Sequence, residues 1–484
     1  MSPIRRVNIT YDTYRKIFYT LKNNIFLYFL YNFKFNKFIY IFVLLLHYIV
    51  KELNSLRLYG SMQINNNGIL NIGGLEVDKL VEEYGTPLLV YDEKEIENNI
   101  NKYLSGLDSY PGKVNVFYAS KAFSNRTIYR ILKKRGLGID VVSGGELYRA
   151  LQADFPSERI YFHGNNKLKS EIKMGLKNNV GRFVIDNAQE ARTLNKIAGK
   201  LNKKSKALLR LNPGIEAHTH EFMVTANNDS KFGVSIANGT AFSLVEDIVN
   251  YDNIELTGIH AHIGSQIYEK HAYIKLVDIM VKFMNKIRNK KGVILSQLDL
   301  GGGLGIAQTE KDSDVPIELF LKDICDKVVE ECGKNEYPLP ELSVEPGRSI
   351  IGPAGTTLYR VGMIKEIDGI KKYVTVDGGM PDNIRPSLYG ASYEAFLANR
   401  CQDKTAETVT IAGKCCESGD ILIDGLKLPE AQTGDILAVP STGAYTYALS
   451  NNYNGIPRPA VILVKDGKSR VIIERESYDD LLNN

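Results

Sequence analysis

The chain has 484 residues, 44% of them hydrophobic and 24% charged, enough to bury a sizeable core and unlike a disordered or fibrous composition. Its net charge of +4 comes from one end: the first 61 residues carry nine Lys and Arg against Asp12 and Glu52, leaving 51 basic against 54 acidic residues elsewhere, a balance that gives no reason to expect a nucleic-acid partner. Five cysteines (Cys325, Cys332, Cys401, Cys415, Cys416), odd in number and without a CxxC pair, point to a reducing, cytoplasmic setting with neither a disulfide framework nor a zinc site.

Residues 1–61 read as a basic, apolar leader outside the fold. The apolar run from Phe38 to Val50 is shorter than the roughly 20 residues that span a bilayer, so a membrane anchor is the minor reading. Charge and polarity change at Met62, which is expected to be the natural start. Residues 62–92 hold short strands, at 69–76 and 88–91, expected to join a later sheet.

From residue 93 to 350, eight β-branched and aromatic runs alternate with segments of helical period. The runs are Val114–Phe117, Gly138–Ser143, Arg159–His163, Arg182–Asp186, Ala207–Asn212, Leu256–His262, Leu298–Gly301 and Leu342–Glu345. Eight such repeats predict an α/β fold of the (β/α)8 TIM-barrel type, with the active site at the C-terminal strand ends. From 351 to 484 strand patterns dominate (Thr357–Val361, Lys372–Val376, Thr408–Ile411, Ile436–Val439, Ala460–Val464), which predicts a C-terminal all-β domain, sandwich- or barrel-like.

The chemistry sits at the strand ends. Lys121 closes the first, where apolar walls would free its amine to form an imine. His262 and Ser265 close the sixth, although a lone His is more often a satisfied core residue. Gly301-Gly302-Gly303-Leu304-Gly305 follows the seventh, where backbone N–H groups can cradle a phosphate; alone, such a run is more often a tight turn. Glu345-Pro346-Gly347-Arg348 ends the eighth, and a carboxylate there can keep a heteroaromatic nitrogen protonated, although a Glu near an Arg is commonly an ordinary ion pair. An imine lysine, a stacking imidazole, phosphate donors and a pyridinium partner are together the needs of pyridoxal 5′-phosphate.

Tyr118-Ala119-Ser120-Lys121, His260-Ala261-His262-Ile263-Gly264-Ser265-Gln266, Leu298-Asp299-Leu300-Gly301-Gly302-Gly303 and Glu345-Pro346-Gly347-Arg348 resemble the signatures of the barrel-type (fold type III) pyridoxal-phosphate decarboxylases. Within that group, Arg385-Pro386-Ser387-Leu388-Tyr389, Cys416-Glu417-Ser418-Gly419-Asp420, Gly443-Ala444-Tyr445 and Asn452-Tyr453-Asn454-Gly455 are similar to the diaminopimelate decarboxylase family. The resemblance runs from about Met62 to about residue 475. It implies Lys121 as the imine lysine, His262 stacked on the cofactor, and Ser265, Gly303, Glu345, Pro346, Gly347 and Arg348 around its phosphate and pyridine. Tyr445 would contact cofactor and substrate, Arg348, Arg385, Tyr389 and Glu417 would hold the substrate's far end, and Cys416 would donate the proton. It further implies a homodimer with shared active sites that turns meso-2,6-diaminopimelate into L-lysine and CO2, the last step of lysine biosynthesis. Cys415 receives no role, and Ile456 stands where the family has a basic residue.

Two carboxylate-bearing ends in one substrate suit two arginines and an acid that accepts from an ammonium. An ornithine-, arginine- or carboxynorspermidine-type decarboxylase is the alternative within the enzyme class, since those substrates lack the distal amino-acid group. A catalytically inactive regulatory homologue and a phosphate-binding barrel without cofactor are the others.

Overall fold

The computed structural model describes residues 56–215 and 230–483. The expectations for most of the leader concern residues 1–55, outside the described residues. Among the described residues no helix is long and apolar enough to cross a membrane.

Eight strands close into an all-parallel barrel: β1 (Val114–Ala119), β2 (Gly138–Val141), β3 (Ile160–Phe162), β4 (Arg182–Ile185), β5 (Ser205–Asn212), β6 (Ile254–His260), β7 (Gln297–Asp299) and β8 (Glu341–Val344). Each pairs with the next, and β8 returns to β1 with Val344 opposite Val116. Parallel strands wrapped by helices are buried on both faces, so they read in sequence as near-continuous apolar runs; every residue of β2 and β3 is buried. Phe117, Tyr161, Val184 and Leu208, from β1, β3, β4 and β5, form a cluster of their own, with the Phe117 and Tyr161 rings stacked at 3.7 Å between centroids. Gly138 makes room for it, because a Cβ there would lie 2.3 Å from the Phe117 ring. Each fully buried ring of this kind contributes about 1.5–3 kcal/mol.

The helices begin where the sequence supplies caps. Asn125, Ser143 and Asn187 accept hydrogen bonds from the amides of Thr127, Glu146 and Glu190 and so start the helices Arg126–Lys134, Gly144–Leu151 and Ala188–Lys200.

The C-terminal sheet is organised on the long strand Gly355–Ile367, which pairs antiparallel with Lys371–Val376, Ile436–Pro440 and Leu88–Asp92. Glu407–Ala412 and Ile421–Leu428 extend one side, Ala460–Lys465 and Lys468–Ile473 the other. Of the early strands, Leu88–Asp92 lies inside this sheet, whereas Leu70–Ile72 belongs to a separate three-stranded sheet with Gln63–Ile64 and Leu75–Glu76. Tyr59 and Ser61, inside the segment read as leader, are anchored to the fold: the Tyr59 hydroxyl donates to the Ala307 carbonyl at 2.8 Å and the Ser61 amide to Asp92 Oδ2 at 2.7 Å. A border drawn from charge alone could not register these polar anchors.

Sheet and barrel share one core. Leu89, Tyr91, Val461 and Leu463 pack into the same apolar cluster as the barrel helices. The Tyr91 ring stacks on Phe123 at 4.6 Å, two residues beyond Lys121, and its hydroxyl donates to the Gly443 carbonyl at 2.6 Å. The sheet is thereby fixed against the C-terminal end of β1.

Candidate active site

Glu345 follows β8 and is 6% exposed at the floor of the barrel mouth. His260, the last residue of β6, places Nε2 at 3.0 Å from Glu345 Oε2. His163, just after β3, places Nε2 at 2.7 Å from Oε1, with its N–H turned off the hydrogen-bond line. Burial alone would raise the Glu345 carboxyl, but the two imidazoles outweigh it and hold the group well below the usual carboxylate range. Burial pushes His163 down to about 4 against the pull of Glu345. The carboxylate thus sits between two imidazoles, hydrogen-bonded to His260 and in close contact with His163.

Two more carboxyls line this floor. Asp140, inside β2, accepts at Oδ1 from the Ser120 amide at 3.1 Å, and Asp299 at the end of β7 accepts from the Gly301 amide at 2.8 Å. Both are pushed well above the ordinary range, first by burial and then by the Glu345 charge. Of the three buried acids, Glu345 alone is held low, while the other two are pushed the opposite way.

Lys121 lies in the short turn Ser120–Ala122 directly after β1. Its side chain is exposed, so the apolar walls expected around it are not there; its nearby charges include Asp140, Glu146 and His262. His262 is crowded enough that burial, then Lys121 and Arg210, push its ring well below the ordinary histidine value, yet it keeps some accessible surface at the mouth.

The loops after β6 and β7 are tied together: the Ile267 amide donates to the Gly303 carbonyl at 3.0 Å and the Gly305 amide to the Ile267 carbonyl at 2.9 Å. Gly302 must be glycine, because a Cβ would stand 1.9 Å from the Glu345 carbonyl oxygen. Pro346 and Gly347 are buried and lead into Arg348, whose Nη2 donates to Ser265 Oγ at 3.1 Å.

Arg348 is 7% exposed and has Nε and Nη1 without hydrogen-bond partners. Burial, then the Arg385 guanidinium, lower its pKa to about 10. Arg385, 3% exposed, donates to the Tyr393 hydroxyl at 2.9 Å. Two buried guanidinium groups close enough to feel each other's charge can form a receptor for an anion. The Tyr445 ring lies under Arg348, 4.7 Å from Cζ to centroid; its backbone is left-handed at φ 63°, and its amide donates to the Ala122 carbonyl at 2.9 Å. Tyr389, half-buried, ends the helix Arg385–Tyr389.

Cys416 and Glu417 stand apart from this cluster. Both are exposed on the loop between Glu407–Ala412 and Ile421–Leu428; the Cys416 amide donates to Asn454 Oδ1 at 2.9 Å, and Glu417 Oε1 accepts from the Gly419 amide at 3.1 Å. The expected residues at the barrel mouth are therefore gathered in one chain, and these two face solvent. His163, His260, Asp140, Asp299 and Arg210 were not singled out from sequence, although all five lie in the strand runs and a polar residue in an apolar strand is the available signal.

Comparison with known proteins bears on this geometry. The family described as pyridoxal-dependent decarboxylase, pyridoxal binding domain, matches residues 93–352. Diaminopimelate decarboxylase of Bacillus subtilis is 44% identical over 88% of this chain and 97% of its own length, and that of Staphylococcus aureus 44% over 88% and 99%. The chain belongs to the diaminopimelate decarboxylase family. Among solved structures, diaminopimelate decarboxylase from M. jannaschii superposes with a TM-score of 0.81 at 34% identity, covering 88% of this chain and 97% of that one. A second structure of that enzyme holds L-lysine.

Donor and acceptor sets at the mouth fit the family's cofactor. Glu345 Oε1 and Arg348 Nε and Nη1 are buried polar atoms with unused hydrogen-bonding capacity, an acceptor for a ring N–H and donors for an anion.

Proposed function

We propose that this chain decarboxylates meso-2,6-diaminopimelate to L-lysine and CO2 with pyridoxal 5′-phosphate. The observation that carries the substrate assignment is the buried Arg348–Arg385 pair, with Arg348 over the Tyr445 ring whose amide is bonded to Ala122, next to Lys121. A diamine-forming enzyme acting on ornithine or arginine has no second carboxylate to set between two guanidinium groups, and burying them unpaired is costly.

In this reading Lys121 would hold the cofactor's aldehyde, His262 would lie against its ring, Glu345 would accept from the ring nitrogen, and Ser265, Gly303 and the 346–348 turn would hold its phosphate side. Bound there, pyridoxal phosphate supplies an electron-withdrawing ring that takes up the electrons of the breaking C–C bond. The protein does the rest. Arg348 and Arg385 hold the distal carboxylate, Tyr389 and Tyr445 border it, and Glu417 accepts from the distal ammonium. Cys416 Sγ gives its proton to the carbon that has lost CO2, so one C–C bond is exchanged for one C–H bond.

Cys416 and Glu417 act in a homodimer, each reaching the partner's Lys121. Their exposure in the single chain, while the remaining groups are buried together, supports this. The chain works in the cytoplasm as a small-molecule enzyme, in keeping with five cysteines that form no disulfide. The test is to offer the purified protein meso-diaminopimelate, ornithine and arginine side by side. Release of CO2 with formation of lysine from the first alone supports the assignment; turnover of ornithine or arginine at equal or greater kcat/KM overturns it.

A further inference from the structure

We infer that His163 and His260 are positioning residues that keep Glu345 ionised and aimed at the cofactor's ring nitrogen, an inference that rests on the cofactor assignment above. The two rings arrive from β3 and β6, strands that are neighbours neither of each other nor of β8, so they meet Glu345 across the barrel rather than along the sheet. They touch edge to face, 4.9 Å between centroids at 75°. Each approaches a different carboxylate oxygen, at 2.7 and 3.0 Å, and the three side chains are almost fully buried.

An ionised carboxylate has about four acceptor directions, so the His260 hydrogen bond to Oε2 and the His163 ring set against Oε1 fix its plane and leave Oε1 with capacity for a further donor. Without them, burial would favour the protonated acid, which is a poorer acceptor for a ring N–H. Arg210 also bears on this group, but through the field rather than by contact, being directed to Asp186, 3.8 Å away. One ligand atom from each of the three residues lies within 4.8 Å of the others, a spacing that a metal could bridge, and each imidazole nitrogen stands at 2.7 or 3.0 Å from a carboxylate oxygen.

The experiment measures the dissociation constant of pyridoxal phosphate for the apoprotein by absorbance, in wild type, His163→Leu, His163→Gln and His260→Leu. The apoprotein's melting temperature is recorded for each. Leucine fills similar space without a donor, and glutamine restores an N–H. The Leu variants should bind roughly tenfold to hundredfold more weakly, the range expected for a lost hydrogen bond to a charged group, with His163→Gln recovering most of the loss. A second ligand isolates the ring nitrogen: with the deaza analogue, in which carbon replaces that nitrogen, wild type and His163→Leu should bind equally. Equal affinity of wild type and Leu variants for pyridoxal phosphate would overturn the inference. So would an equal loss with both ligands that Gln fails to recover, since the rings would then only fill space. If wild type itself binds no pyridoxal phosphate, the failure lies in the cofactor assignment instead.

Discussion

The floor of the barrel mouth and the 414–420 loop of the sheet are built on opposite terms. At the floor, Glu345, His260, Asp299 and Arg348 are each less than a tenth exposed and held by partners from several strands. On the loop, Cys416 and Glu417 are exposed and held through backbone amides and short-range contacts. Groups that bind a cofactor gain from a dry, preorganised setting, where each hydrogen bond is stronger and its geometry fixed. A group that must reach a second chain has to stay on the surface until that chain covers it.

The sharpest break of the comparison is at Lys121. Although it lies at the floor's rim, its side chain is exposed, so Lys121→Ala should abolish turnover by several orders of magnitude while the melting temperature barely moves. Parallel kinetics and thermal melts check this; substantial residual turnover would detach Lys121 from the chemistry. Arg385→Ala comes next. Losing a forked donor from a buried carboxylate costs about 2–5 kcal/mol, so KM for diaminopimelate should rise roughly thirtyfold or more with cofactor affinity little changed.

Asp420→Ala tests how firmly the exposed loop is held from beneath. Asp420 is buried; its Oδ1 accepts from the Met380 amide at 2.7 Å and its Oδ2 from the Cys415 amide at 2.8 Å, joining the loop that carries Cys416 to the segment leading into Arg385. Leaving both amides unmet should cost about 1–3 kcal/mol of stability and lower kcat, with Asp420→Asn recovering part of each. Urea unfolding and steady-state kinetics give the two readouts.

The barrel was legible because its strands are buried on both faces and end on polar residues. Strands such as Ile421–Leu428 and Lys468–Ile473 escaped the sequence reading: the first is interrupted by Asp424-Gly425, where Gly425 has φ 69°, and the second is a half-exposed edge rich in polar residues. At the site, the residues expected at the mouth were legible from strand-end position and motif. His163 and His260 were not, since a histidine in an apolar strand looks the same whether it fills space or clamps a carboxylate from across the barrel. Only closure of the sheet brings three distant strands to one point.

Acid should separate the two regions. His163 is depressed to about 4 in the folded chain, so as pH falls the unfolded chain protonates first. The stability this ring contributes is intact above about 6.5 and is lost between about 6.5 and 4. Glu345, also depressed, acts in the same direction, losing its contribution as pH falls through its folded-state value. Asp140 and Asp299, both raised, act oppositely, contributing at low pH and losing that contribution as pH rises through theirs. Wild type should therefore lose stability relative to His163→Gln between about pH 6.5 and 4, measured by urea unfolding. An unchanged difference would mean that the ring is already charged in the fold.

The smallest effect belongs to the chain's entry into the fold. A protein starting at Met62 lacks the Tyr59 and Ser61 hydrogen bonds and should be less stable than one starting at Leu58 by about 1–2 kcal/mol, with kcat/KM unchanged. Chemical denaturation of the two proteins decides it.

In the proposed reading the buried floor and the exposed loop become one active site when two chains meet, and mixing inactive subunits tests that directly. Lys121→Ala and Cys416→Ala proteins, each severely impaired alone, should on subunit exchange recover about a quarter of wild-type activity, because about half the dimers are mixed and each mixed dimer holds one intact site. A mixture that stays as inactive as its parents, with exchange demonstrated by mass, would contradict the shared site and return Cys416 to its own chain or remove it from the reaction.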